Sequence, residues 1–188
     1  MNHFQFPVSF GTVLIFWNDD GLVTQIKLCA ERLLKSQRRD IPVAAAFFID
    51  RLEQFFFYGE PVGEIPWEFL DQSQCTAFQK AVYSLIVTIP HGETRTYGWV
   101  AQQLGKKAAS RAVGQALKKN HFPIIIPCHR VVGMHSAMGF MGEQDPRHPL
   151  CLIKQKLISL EEEYLNPVFS FLPQMIAKSE VERYSIVV

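Results

Sequence analysis

Two apolar, β-branched runs, Val8 to Trp17 and Leu22 to Leu28, are separated by Asn18-Asp19-Asp20-Gly21. Asn, Asp and Gly tolerate turn and left-handed backbone, so this punctuation between strand-like runs folds the chain into a hairpin. The first run is strongly apolar, and the second alternates imperfectly at Leu22, Val23, Ile26 and Leu28, as a half-buried strand would. Glu31 to Asp40 is charged and reads as a loop or frayed helix. Beyond it, Val43, Phe47, Leu52, Phe55 and Phe56 recur at helical spacing up to Gly59, which gives a helix able to cover the sheet. Pro61 and Pro66 punctuate a linker with room for one short strand at Trp67 to Leu70.

From Ser73 the pattern is helical, with Phe78, Val82, Leu85 and Ile86 on one stripe ending at Ile89-Pro90-His91-Gly92. Thr96 is placed to cap a short helix through Leu104, Gly105 closes it, and a further helix runs from about Ala108 to Lys119 with Val113, Ala116 and Leu117 inward. Two short helices joined by a glycine-containing turn make a helix-turn-helix candidate. Ile124-Ile125-Ile126 reads as a buried extended segment that delivers Pro127-Cys128-His129-Arg130, and a last helix spans about Pro149 to Tyr164.

At 188 residues and 48% hydrophobic content the chain supports one good-sized core or two small ones sharing an interface. No stretch reaches the roughly 20 apolar residues that span a bilayer, and Met1 to Val8 lacks a basic segment followed by an apolar one. The expectation is a chain with no membrane association, cytoplasmic, or nuclear if eukaryotic. Cys29, Cys75, Cys128 and Cys151 form no Cys-x-x-Cys pair, so reduced thiols are expected rather than a disulfide framework or a zinc ribbon. The formal charge of +1 hides an asymmetry: no acidic residue lies between Glu93 and Glu143, while Arg95, Lys106, Lys107, Arg111, Lys118, Lys119 and Arg130 do. Such a stretch is ordinarily a solvated face; beside a helix-turn-helix it also suits a polyanion.

An isolated cysteine in an apolar setting is usually a small buried hydrophobe. Cys128 differs in its company, because a neighbouring imidazole and positive charge favour the thiolate, the nucleophilic form. Adjacent side chains seldom face one another, so His129 would reach the thiol through a water or a turn of the backbone.

The run Ile124-Ile125-Ile126-Pro127-Cys128-His129-Arg130-Val131-Val132 resembles the active-site signature of O6-alkylguanine-DNA alkyltransferases. The resemblance extends upstream through Phe78-Gln79, Ile89-Pro90-His91-Gly92-Glu93-Thr94, Thr96-Tyr97-Gly98 and Arg111-Ala112-Val113-Gly114-Gln115-Ala116 to Asn120. Downstream, Gly139-Phe140 is similar to a glycine-tyrosine pair and Lys154 to Glu161 to the family's final helix; in all, about residues 5 to 163 are covered.

The resemblance implies an α/β (α+β) fold in two domains: an RNase-H-like α/β domain over 1–70, and a mainly helical, winged-helix-like domain with the helix-turn-helix over 71–165, followed by a tail, 166–188. It implies that Cys128 accepts an alkyl group irreversibly from O6-alkylguanine, with O4-alkylthymine a further substrate, that His129 takes the thiol proton through a water, and that Glu161 orients and charges that histidine. Glu162 and Glu163 leave the last register open by one residue. The physics agrees with such a set, because displacing an sp3 carbon from oxygen needs a thiolate in line and a base nearby.

A buried thiol cannot reach O6 inside a duplex, so the base must be flipped out. Arg111 matches the family's arginine finger and Tyr97 the tyrosine that pushes on the phosphate and meets the flipped base. Tyr97, Arg111, Ala112, Gly114, Asn120 and Arg130 are the expected DNA-binding residues, and Tyr97, Val131, Phe140 and Met141 the expected base pocket. Without the motif, Tyr97 would be a half-buried helix residue and Arg111 a phosphate contact. Small residues around Arg111 suit minor-groove docking on double-stranded DNA with little sequence readout. A monomer with no cofactor and no metal is expected, since the zinc ligands of some relatives have no match here.

Four departures stand out. The stretch after Arg130 is one residue short, Phe140 replaces tyrosine and Met141 a smaller residue, and Glu143 to Pro149 reads as an insertion. They put the range of alkyl groups in question. The alternative from another class is a non-catalytic sensor of alkylated DNA, an alkyltransferase-like protein; those carry tryptophan where this chain has Cys128. A cysteine hydrolase would explain Cys128 but leave Arg111 idle, and a transcription factor lacks base-reading residues on the second helix.

Overall fold

The computed structural model describes residues 2–36, 40–134, 145 and 147–166. Phe140, Met141, Glu143 and the tail from residue 167 lie outside the described residues. The chain opens as a three-stranded antiparallel meander, β1 (Asn2–Val8), β2 (Gly11–Trp17) and β3 (Val23–Cys29), in the order β1-β2-β3. The sequence reading had started the first strand at Val8. That run straddles the turn at Ser9-Phe10, where Val8 pairs with Gly11; at Gly11, φ 148, a Cβ would lie 1.8 Å from the Cys29 carbonyl oxygen. β1 alternates cleanly, burying Phe4, Phe6 and Val8, and its Pro7 is tolerated because β1 is an edge strand. The β2–β3 hairpin closes on Asn18, whose Oδ1 accepts from Leu22 N at 2.9 Å, with Gly21 at φ 81.

Helix α1 (Val43–Tyr58) buries Ala45, Phe48, Ile49, Leu52 and Phe55 in the core shared with the sheet. It stops at Gly59, φ 74, whose N–H returns to the Phe55 carbonyl at 3.0 Å. Trp67–Phe69 forms a 3-10 turn rather than the short strand expected there; only Leu70 bridges, to Val23. Next come α2 (Ala77–Ile86), opened by a Thr76/Gln79 capping box, then β4 (Arg95–Thr96), α3 (Tyr97–Gln103) and α4 (Ser110–Lys118). Thr96 caps α3 through Trp99 N at 3.1 Å, and Val113, Ala116 and Leu117 are the buried face of α4.

Ile124-Ile125-Ile126 is buried but not extended. Ile126 N donates to Phe122 O at 2.8 Å, and Ile124 takes φ 75, rare and costly for a β-branched residue. Beyond the Cys128–Arg130 turn, β5 (Val131–Val132) pairs in parallel with β4, and α5 (Pro149–Leu165) ends the described chain. No helix among the described residues is long and apolar enough to cross a membrane.

Candidate active site

Cys128, His129 and Arg130 occupy one 3-10 turn, and all three are buried, at 5%, 0% and 7% exposure. The loop leading to the turn is tied by Asn120, which donates from Nδ2 to Ile126 O at 2.8 Å and accepts at Oδ1 from Phe122 N at 2.9 Å. Asn120 is therefore an internal brace, 4% exposed, and not the DNA contact expected of it.

Arg130 is also corrected. Its guanidinium turns inward: Nε donates to Glu161 Oε2 at 2.9 Å, Nη2 to Glu161 Oε1 at 3.0 Å, and Nη1 to the Ile89 carbonyl at 2.8 Å. Buried to 7% exposure against a carboxylate and a carbonyl, this cation is not turned toward a phosphate at the surface.

Glu161 is the convergence point and settles the register, being 1% exposed while Glu162 and Glu163 are solvated. Besides Arg130 it accepts from His129 Nε2 at 2.7 Å and from Gly92 N at 2.9 Å. Gly92 permits this close approach: its φ is 77, and a Cβ would meet Leu165 Cδ1 at 2.3 Å. Burial pushes the Glu161 carboxyl up, but the hydrogen bond from His129 and then the hydrogen bonds and charge of Arg130 overcome it and hold the group at about 2.

A carboxylate ionised at neutral pH takes the Nε2–H of His129, which fixes the tautomer and leaves Nδ1 as a lone pair. That Nδ1 is buried and has no hydrogen-bond partner among the described residues. Burial lowers the proton affinity of His129, with Glu161 opposing and Arg130 and Lys154 reinforcing.

Burial works against the thiolate that the neighbours of Cys128 in sequence favour. Burial pushes Cys128 up, opposed by the Asn120 amide and by the Lys154 charge. Lys154, on α5 two helical turns before Glu161, is wholly buried; its Nζ donates to Val131 O at 2.7 Å and lies 6.0 Å from the Tyr97 ring centre. Burial brings its ammonium down to about 8, with Cys128 and Cys151 opposing.

Tyr97, the first residue of α3, is held protonated, its hydroxyl raised to about 12 by burial and then by Cys128. Its Cε1 would stand 3.9 Å from a Cβ on Gly114, ordinary van der Waals contact, so α3 and α4 meet at this ring. Arg111 and Ala112 are exposed on α4, and Val131 is buried at the start of β5. Cys128, His129, Arg130, Glu161 and Lys154 thus form one cluster with Tyr97 near it, while Arg111 and Ala112 stand outside on the α4 surface.

Sequence reasoning missed Lys154 as a site residue. The signal was present, since Cys151, Lys154, Leu157 and Glu161 recur every three to four residues on the buried stripe of α5. His91, discussed below, gave no such periodic sign.

Residues 77–163 match the family model described as 6-O-methylguanine DNA methyltransferase, DNA binding domain. A methylated-DNA–protein-cysteine methyltransferase of Mycobacterium leprae is 35% identical over 123 residues, 64% of this chain and 72% of that protein. Among solved structures, Mycobacterium tuberculosis O6-methylguanine methyltransferase superposes with TM-score 0.66 at 27% identity, covering 87% of this chain and 94% of that one. OGT of the same organism in complex with DNA gives 0.63 at 29% identity, covering 85% and 92%. The chain joins a mixed α/β fold to a buried cysteine–histidine–glutamate cluster. The chain belongs to the methylated-DNA–protein-cysteine methyltransferase family.

Proposed function

We propose that this chain repairs DNA by direct reversal, moving the alkyl group of O6-alkylguanine to Cys128 once per molecule. The observation that carries the reading is His129, locked by Glu161 at Nε2 with a buried, unpartnered Nδ1 next in sequence to a buried thiol. Nδ1 takes the Sγ proton across a bridging water. The thiolate attacks the alkyl carbon in line, the C–S bond forms as the C–O6 bond breaks, and the purine leaves with the electron pair and is reprotonated. No residue in the cluster can hydrolyse the resulting thioether, so one protein serves one lesion. O4-alkylthymine poses the same exocyclic carbon to the thiolate.

Delivery of the base follows from the basic helix pair. Arg111 enters the stack left by the flipped base from the minor groove, Ala112 and Gly114 let the α4 backbone approach, and Tyr97, a protonated donor, meets the phosphate and the base. Lysines and arginines around α3 and α4 supply affinity for double-stranded DNA with little sequence preference. Val131 contributes to the base pocket. The protein acts as a monomer, in the cytoplasm or nucleus. This reading takes 1–70 as an RNase-H-like domain and 71–165 as a winged-helix-like domain, supported by the change from sheet with covering helix to clustered short helices.

The test is transfer of labelled methyl from O6-methylguanine duplex to wild type and to Cys128→Ser. One label per wild-type molecule and none on the variant is the expected result. Label on the variant removes Cys128 as acceptor, and label on neither leaves the alkylated-DNA sensor as the surviving reading.

A further inference from the structure

His91 lies against the catalytic cluster, and the scheme above gives it no task. It sits in the Pro90-His91-Gly92 turn after α2, and its Nδ1 is 3.3 Å from Nη2 of Arg130 and 3.7 Å from Oε1 of Glu161. The ring is fixed edge-on between Phe55 of α1, at 6.0 Å, and Tyr164 of α5, at 5.5 Å. A guanidinium can only donate, so Nδ1 at this distance presents its lone pair and the ring is neutral. The environment agrees: burial lowers the proton affinity of His91, Glu161 and the Gly59 backbone oppose, and Arg130 and His129 reinforce.

Resting on the function proposed above, we infer that His91 is a positioning residue for transfer, which in its neutral form anchors Arg130 so that Glu161 holds His129 ready as the base. Arg130 Nη2 is shared between Glu161 Oε1 and His91 Nδ1, which pins the outer end of the guanidinium and keeps Oε1 aligned with His129 Nε2 at 2.7 Å. A proton on His91 reverses the arrangement. Its Nδ1–H then faces a cation and can turn only to Glu161 Oε1, which already accepts from His129 and Arg130. A third positive group on that carboxylate lowers the proton affinity of His129, so the thiol loses its acceptor. His91 and Arg130 line a cavity of about 200 Å³ between Pro61 to Gly63 and Val87 to Pro90.

The experiment compares wild type, His91→Asn and His91→Phe. Asparagine places an amide oxygen near the Nδ1 position, accepting from Arg130 but unable to gain a proton; phenylalanine keeps the ring contacts and loses the acceptor. Two rates are measured from about pH 5.5 to 8.5: single-turnover methyl transfer from O6-methylguanine duplex, and alkylation of Cys128 by iodoacetamide, which needs no DNA. At about pH 8, His91→Phe is slower than wild type by roughly tenfold in both, and His91→Asn recovers most of that loss. Below about pH 6 wild type falls away more steeply than His91→Asn.

Wild-type rates in His91→Phe, or equal slowing in both variants, overturns the inference. Should His91→Phe fail to fold, an acid limb in His91→Asn identical to that of wild type does the same. Iodoacetamide rates that follow the expected order in a protein that takes no methyl from DNA would sink the proposed function and leave the role of His91 standing.

Discussion

Lys154 Nζ donates to the Val131 carbonyl at 2.7 Å, so a buried ammonium on α5 is fastened to the strand that leaves the Cys128 turn. Its charge is among the influences that favour the thiolate over the thiol. Replacement by methionine keeps the apolar stem and removes that charge. Lys154→Met is expected to react with iodoacetamide several-fold more slowly at neutral pH, with its thiol titrating at higher pH. An unchanged reactivity profile would remove Lys154 from the site.

The same lysine leaves a mark on stability. Its folded value, about 8, lies below the ordinary 10.5, so between these values the unfolded chain holds a proton that the folded one does not. Stability contributed by Lys154 must therefore rise with pH across that window. Urea midpoints of wild type should show the rise relative to Lys154→Met; parallel curves would contradict it.

Acid acts in the opposite sense through the imidazoles. His91 and His129 both have proton affinity lowered below the ordinary 6.5, so the unfolded chain binds protons first and stability falls as pH drops below about 6.5. Glu161, held at about 2 against an ordinary 4.5, adds a second loss that begins near pH 4.5 and completes through about 2. A urea midpoint that stays flat from pH 7 to 5 would refute the first part.

Glu161→Gln leaves Arg130 buried without its counter-charge. Removing one partner of such a pair costs about 3–5 kcal/mol, so a large drop in the urea midpoint is expected. Methyl transfer in the protein that remains folded should fall by about 100-fold, because an amide no longer fixes the His129 tautomer. A fast, stable variant would show that the ion pair is incidental.

Arg111→Ala separates delivery from chemistry. The residue is exposed on α4, away from the buried cluster, so reaction of Cys128 with iodoacetamide should be unaltered while transfer from duplex slows. Slowing of both rates would place Arg111 in the reacting centre instead.

Much of this was legible in the sequence because it followed from periodicity and punctuation. The β2–β3 hairpin, α1 up to Gly59, the Thr96 cap and the buried face of α4 all lie where spacing put them. What was hidden depended on contacts between distant segments. Arg130 and Asn120 sit beside basic residues in the chain, yet burial and pairing with Glu161, Ile126 and Phe122 turned them inward. The charge state of Cys128 was hidden for the same reason, since a thiol's neighbours in sequence say nothing about how far water is excluded around it.

The ladder between β4 and β5 is only two residue pairs long, Arg95 with Val131 and Thr96 with Val132. One of its strands runs straight into α3 at Tyr97 and the other comes straight out of the Cys128–Arg130 turn. A shift of α3 therefore reaches the backbone of the Cys128 turn through a few amide bonds. On the function proposed above, grip on the lesion and aim of the sulfur are settings on a single lever.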